Sequence, residues 1–263
     1  MDLGLKGKVA IVTGGSRGIG EASARALARE GVNVVICARG MDDLTEAARH
    51  IQAETGGQVV PMQADVERQE DVRRLVATTV QSFGRVDILV NNAVNSQSSP
   101  FMELTDEEWM HHFNVKLLGY VRCCREVLPH MQANRWGRII NMAGAAAREV
   151  DIRGFTSGVV NSGVTNFTKK LANEVASYGI TVNAIHPSAA DSRRRADNAA
   201  RAEREVGTAQ AVAARRGRTP PIGRLLVADD NTPAVLFFAS EPAAAVTGQI
   251  LSVDGGGTTG HYY

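Results

Sequence analysis

The chain has few cysteines, no excess of either charge, few aromatics and no long apolar run. Its 263 residues include only Cys37, Cys123 and Cys124. An odd count without CxxC spacing argues against a disulfide framework and against a zinc site. Cys123 and Cys124 lie in an apolar helical stretch and read as small core residues, with nothing nearby in sequence to stabilise a thiolate. Lys and Arg together number 29 against 28 Asp and Glu, a net charge of +1, so no nucleic-acid or membrane surface is expected. No apolar stretch approaches the roughly 20 residues that span a bilayer. The N-terminus passes from Met1 through Lys6 and Lys8 into Val9-Ala10-Ile11-Val12 with no signal-peptide core or cleavage site, and the expected location is cytoplasmic. A further absence bears on chemistry: no tyrosine occurs between Tyr120 and Tyr178.

What is present is a globular composition, 44% hydrophobic and 22% charged, enough for a sizeable core in one α/β domain. Short β-branched runs read as strands at Val9–Val12, Val32–Cys37, Val59–Met62, Ile88–Asn91, Arg138–Met142, Ile180–Ile185 and Ile250–Val253. Between most of them lie Ala-rich segments with helical spacing, such as Ala22, Ala26, Leu27 and Ala28, or Val72, Leu75, Val76 and Val80. Runs apolar on both faces and separated by helices predict a seven-stranded, doubly wound parallel sheet covered on both sides, with ligands at the carboxyl ends of its strands. Residues 193–220 break the pattern: Arg193, Arg194, Arg195, Arg201, Arg204, Arg215, Arg216 and Arg218 crowd into an Ala-rich segment ending at Pro220-Pro221. Interleaved acids and missing aromatics argue against a nucleic-acid patch. A charged helical lid over the ligand crevice is expected there.

Thr13-Gly14-Gly15-Ser16-Arg17-Gly18-Ile19-Gly20 follows the first strand and opens the first helix. Glycine suits a tight turn and a close approach of backbone to a pyrophosphate, and the helix start offers free N–H groups and a positive dipole end. The other motifs follow in order: Asp65-Val66, Asn91-Asn92-Ala93-Val94, Asn114, Asn183-Ala184-Ile185-His186-Pro187, Val246-Thr247-Gly248-Gln249 and Val253-Asp254-Gly255-Gly256. In this order and spacing the chain resembles the short-chain dehydrogenase/reductase family over nearly its whole length. The resemblance implies a Rossmann-type fold, a small-molecule substrate and no metal. It places Gly14, Ser16, Arg17, Gly18, Ile19 and Gly20 at the cofactor phosphates, Asp65 and Val66 beside the adenine, and Asn92 and Ala93 on the adenosine side. Pro187 and Ser192 would border the nicotinamide. Val94 and Ser188 stand where the family usually has glycine, two small departures on the nicotinamide wall. It also implies a homodimer or homotetramer formed through the helices holding Asn114 and Ser157, with the tail His261-Tyr262-Tyr263 able to reach a neighbour. After the second strand, where an acid would hold the ribose of NAD, the chain has Ala38 and then Arg39. Arg39 and Arg17 together favour the 2′-phosphate of NADP(H).

The same resemblance exposes a gap. The family's reaction uses a Ser, a Tyr thirteen residues later and a Lys four residues beyond that, together with the helix Asn. Alignment from both flanks puts Gly144, Ser157 and Asn161 at the three positions, and Asn114 at the helix Asn. Gly144 offers no hydroxyl, Ser157 is too short and too weak an acid to replace a phenol, and Asn161 carries no charge. Lys169 and Lys170 lie about 12 Å or more along the same helix by its rise. Some enoyl-type relatives also carry Ser at the Tyr position, but they keep the Lys and bring another Tyr nearby. His186, which ordinarily titrates near neutrality, is a candidate acid–base group, and Arg148, Glu149, Asp151 and Arg153 form a charged loop beside the crevice. His111 and His112 read as surface or interface residues. The leading expectation is an oxidoreductase with a non-standard active site. A lyase, isomerase or hydrolase on the same fold, or a catalytically silent binding or sensor subunit, are the alternatives.

Overall fold

The computed structural model describes residues 1–95, 100–148, 154–187 and 220–258. Seven strands form one sheet: β1 (Val9–Thr13), β2 (Asn33–Ala38), β3 (Val59–Gln63), β4 (Ile88–Asn91), β5 (Gly137–Met142), β6 (Ile180–Pro187) and β7 (Ile250–Val253). Their order is β3-β2-β1-β4-β5-β6-β7 and every neighbouring pair is parallel. All seven expected strands are found, with ends shifted by at most two residues. Strand order reverses between β1 and β4, which opens a crevice at their carboxyl ends.

Helices α1 (Gly18–Arg29), α2 (Met41–Thr55), α3 (Gln69–Phe83), α4 (Asp106–His112), α5 (Gly119–Asn134), α6 (Phe155–Val175) and α7 (Thr232–Ala239) cover the sheet. Alternation along each strand divides the core in two. Val12, Ile36 and Val90 pack with Leu27, Leu44 and Phe238 on one face. Ile11, Val35 and Leu89 pack with Leu75, Val127 and Ala172 on the other. Each fully buried aliphatic side chain contributes about 1.5–3 kcal/mol by leaving water; the polar residues that the central strands carry, among them Asn91, Asn141 and Asn183, are buried as well. Two-sided burial does not extend to the edge strands, since β3 and β7 are partly exposed.

One helical detail positions the site. A capping box between Thr105 and Glu108 starts α4. The chain then continues into α5 through a π-helical turn, Phe113–Leu118. A π turn holds an extra residue, so it changes which side chains face the sheet. α4 also packs against α6, and this corrects one expectation: His112 is buried, with Nδ1 2.9 Å from the Thr156 hydroxyl. All three cysteines are buried, and burial pushes the thiols of Cys37 and Cys124 up to about 12.

Among the described residues no helix is long and apolar enough to cross a membrane, and no group of three or more His, Cys, Asp or Glu could hold a metal. The expected lid, apart from Pro220, lies outside the described residues. So do Ser188, Ser192, Glu149, Asp151, Arg153 and the tail His261-Tyr262-Tyr263.

Candidate active site at the carboxyl ends of the strands

The glycine-rich turn between β1 and α1 is built to leave space. Gly14 and Gly18 have φ of +64° and +59°, where a Cβ is strained. A Cβ on Gly20 would stand 2.2 Å from the Gly14 carbonyl oxygen, so α1 sits against the turn as closely as backbone allows. A Cβ on Gly18 would meet nothing within 4 Å; the outer side of the turn is open. Arg17, extended at the N-cap of α1, gives no side-chain cap, so the first N–H groups of α1 receive none from it. The Asn92 amide donates to the carbonyls of Thr13 and Gly14 (3.1 Å each), while the Thr13 hydroxyl accepts from the N–H groups of Asn92 and Ala93. Asn92 therefore holds the turn in shape. Ser16 and Ile19 are half-buried within it, and Arg17 and Arg39 are exposed beside it.

Asp65 follows β3 and accepts from the Glu67 N–H at 3.0 Å. Val66 is buried against Gly119, where a Cβ would approach it to 3.1 Å. The side chain of Asn114 belongs to this same region. It donates to Glu67 (3.0 Å) and accepts from Arg122 (2.7 Å), whose guanidinium also reaches the Val66 carbonyl. Glu67 in turn contacts His111, which lies 2.7 Å from the Asn95 amide. Asn114 is thus tied to the loop after β3.

At the end of β5 a different group gathers. Ser157, Asn161 and Thr165 are spaced by four residues on α6 and share one face. Gly144 has φ +156°, and a Cβ on it would come 2.6 Å from the Asn161 amide nitrogen. The Asn161 side chain thus fills the place where a larger residue at 144 would begin. Its Oδ1 is buried without a partner among the described residues.

His186, at the end of β6, has no exposed surface. Its Nε2 lies 3.3 Å from the Thr165 hydroxyl, and that hydroxyl donates to the Asn161 carbonyl at 2.8 Å. With the one hydroxyl hydrogen spent, Nε2 must carry the imidazole hydrogen and Nδ1 is left as a buried acceptor, with no partner among the described residues. Burial, helped by the charges of Arg148 and Lys116 and opposed by Asp254, lowers its pKa to about 4. This overturns the expectation of a group titrating near neutrality. His186 is a neutral imidazole at pH 7.

Lys116 is the residue that sequence reasoning missed. It lies in the π-helical turn, is 5% exposed, and its Nζ donates to the Ala143 carbonyl at 2.5 Å. One turn later the buried Tyr120 hydroxyl donates to the Met142 carbonyl at 3.0 Å. The available signal was a lysine set between Val115 and Leu117 in an apolar stretch.

The short chain dehydrogenase family profile matches residues 8–203. The chain belongs to the short-chain dehydrogenase family. A 3-oxoacyl-[acyl-carrier-protein] reductase of Synechocystis sp. is 34% identical over 258 residues, covering 96% of this chain and 97% of that protein. The crystal structure of L-sorbose reductase from Gluconobacter frateurii, complexed with NADPH and L-sorbose, superposes with a TM-score of 0.93 at 33% identity, covering 99% and 100% of the two chains. A variant of actinorhodin polyketide ketoreductase with NADPH gives a TM-score of 0.90 at 34% identity, covering 96% and 98%. These family relatives are reductases of differently named substrates, so membership fixes no substrate.

Proposed function

We propose that this chain is an NADP(H)-dependent oxidoreductase whose active site has Gly144, Ser157 and Asn161 where the family usually has Ser, Tyr and Lys. The observation that carries this reading is the fit between Gly144 and Asn161. A Cβ at 144 would stand 2.6 Å from the Asn161 amide nitrogen, so the two replacements belong together as one packed arrangement.

The cofactor assignment rests on the open, uncapped turn and on charge. Gly14, Ser16, Gly18, Ile19 and Gly20 with the start of α1 hold the pyrophosphate. Exposed Arg17 and Arg39 hold the 2′-phosphate, and Ala38 ends β2 where an acid would repel it. Asp65, Val66, Asn92 and Ala93 line the adenosine side, and Pro187 with Ser192 borders the nicotinamide. Two of the structurally similar reductases were solved with NADPH. When bound, the cofactor supplies hydride. The chain's own residues bind and orient it, and the Asn161 amide replaces a charged contact to the ribose with a neutral one.

The chain forms one dinucleotide-binding domain. It assembles as a dimer or tetramer through the helical segments that hold Asn114 and Ser157, where Leu118, Phe155 and Val159 are exposed. The test compares NADPH and NADH binding by fluorescence. It also compares NADPH oxidation by wild type and by Gly144→Ser/Ser157→Tyr/Asn161→Lys on ketones, diketones and enones. Wild-type turnover is expected. Turnover by the restored variant alone would overturn the oxidoreductase reading, in favour of a silent binding subunit or a non-redox enzyme.

A further inference from the structure

Only Arg39 and Gly40 link β2 to α2, and Arg39 is the side chain assigned above to the 2′-phosphate. Both residues are exposed. Gly40 is the N-cap of α2 and has no side chain to fix the chain there. Among the described residues Arg39 forms no ion pair, although Asp42 and Asp43 stand close by in the first turn of α2. A loose backbone at 39 would let the guanidinium swing toward those carboxylates, away from the glycine-rich turn.

Successive carbonyls are held here instead. Cys37 accepts from the Gly15 N–H at 3.1 Å, and Ala38 from the Ala64 N–H at 3.0 Å. Arg39 accepts from the side-chain amide of Gln63 at 2.7 Å. The bonds to Cys37 and Ala38 are main-chain contacts that almost any sequence could make. The bond to Arg39 depends on one side chain, at the exposed end of edge strand β3. A peptide unit is planar, so the direction of a side chain is set by the units before and after its residue. The bond to Ala38 fixes the unit before Arg39 and the bond from Gln63 fixes the unit after it. Together they fix the direction of the Arg39 Cα–Cβ bond. Gln63 is itself braced from α3: its carbonyl accepts from Arg74 Nη2 at 3.2 Å, and Arg74 Nη1 pairs with Asp71 at 2.9 Å. The other Asp71 oxygen accepts from the Asp65 N–H at 3.0 Å, so the brace also reaches the loop after β3.

We propose that Gln63 is a positioning residue for cofactor choice: by holding the Arg39 carbonyl it presents the Arg39 guanidinium to the 2′-phosphate of NADP(H). The proposal rests on the assignment of Arg39 to that phosphate. Gln63 acts through Arg39, since its amide is spent on the carbonyl. A side chain already aimed at its ligand loses less freedom on binding, so the brace favours NADPH and leaves NADH, which lacks the 2′-phosphate, unaffected.

The test titrates the full chain with NADPH and with NADH, read by cofactor fluorescence. Gln63→Met keeps the length of the side chain and removes its donor. It should bind NADPH about threefold to tenfold more weakly and NADH as wild type does. Gln63→Thr suits a strand but is too short to reach the carbonyl; it should behave alike, and it takes the place of Gln63→Met if that chain does not fold. In an Arg39→Ala background the effect of Gln63→Met should vanish, because no guanidinium is left to aim. With adenosine 2′,5′-bisphosphate and AMP as competitors, Gln63→Met should weaken only the bisphosphate. A Gln63→Met chain that binds both cofactors like wild type, or weakens both alike, overturns the proposal. A loss of the same size in the Arg39→Ala background also overturns it, since Gln63 would then act on the phosphate directly. If Arg39→Ala leaves the ratio of NADPH to NADH affinity at its wild-type value, the assignment of Arg39 fails and this proposal with it.

Discussion

The two ends of the crevice are built on opposite principles. At the β1–α1 turn, specificity comes from what is missing: no Cβ at Gly14, Gly18 or Gly20, no side-chain cap on α1, no acid after β2. The side chains of Thr13 and Asn92 are used up in holding its backbone. At the ends of β5 and β6 the site is crowded instead. Lys116, Asn161 and His186 are all buried there, and Asn161 Oδ1 and His186 Nδ1 have no partner among the described residues. Buried polar groups normally find partners; unspent ones beside a ligand crevice are what a reacting molecule would use. The turn is a close-fitted receptor for the dinucleotide, whereas the β5–β6 end is where buried polar atoms without partners among the described residues collect.

Breaking the close-fitted end should have the largest effect. In Gly20→Ala the new Cβ would press on the Gly14 carbonyl, which is backbone and cannot move aside. Chemical denaturation should show a loss of about 3 kcal/mol, and NADPH binding should disappear from a fluorescence titration.

The crowded end should declare itself through pH. His186 has a folded pKa of about 4 against an ordinary 6.5, so the unfolded chain takes up a proton that the folded chain refuses. Its burial as a neutral group is without penalty above about pH 6.5, and stability falls as pH drops from 6.5 toward 4, by about 3 kcal/mol in all. Urea unfolding at pH 7, 5.5 and 4.5 checks this, and His186→Gln should flatten the decline. An equally steep decline in that variant would remove His186 from the account.

A smaller effect separates the two cofactors. Arg39→Asp loses a charge-assisted contact of about 1.5–3 kcal/mol, so NADPH affinity should fall tenfold to a hundredfold while NADH affinity rises. The smallest effect is a coupling. Gly144→Ser should be poorly tolerated beside Asn161 and better tolerated with Asn161→Ala, with an interaction of about 1 kcal/mol in a double-mutant cycle. Strict additivity would mean that the two positions do not share the space.

The sheet was legible because its signal is redundant. Each of β1, β2 and β4 is a short β-branched run with buried faces on both sides, and a residue's error at one end changes nothing. The turn was legible for a similar reason, since glycine at 14, 18 and 20 has a steric cause that reads directly from spacing. The β5–β6 end was less so. Asn114 was named from family resemblance, yet its side chain is bound to Glu67 and Arg122. Lys116 went unnamed because its direction depends on a π turn that hydrophobic spacing does not reveal. His186 was named, but its protonation depends on burial and on Lys116 and Arg148, which lie 70 and 38 residues away in sequence.

The π turn has an evolutionary consequence. Each residue of a regular helix rotates the chain by about 100°, so removing one codon between Phe113 and Leu118 would rephase α4 against α5. A different side chain would then meet the Ala143 carbonyl. In most enzymes the reacting group changes by point substitution, one letter at a time. Here an insertion or deletion could exchange the residue held at the Ala143 carbonyl while leaving every strand and the whole nucleotide cradle unaltered.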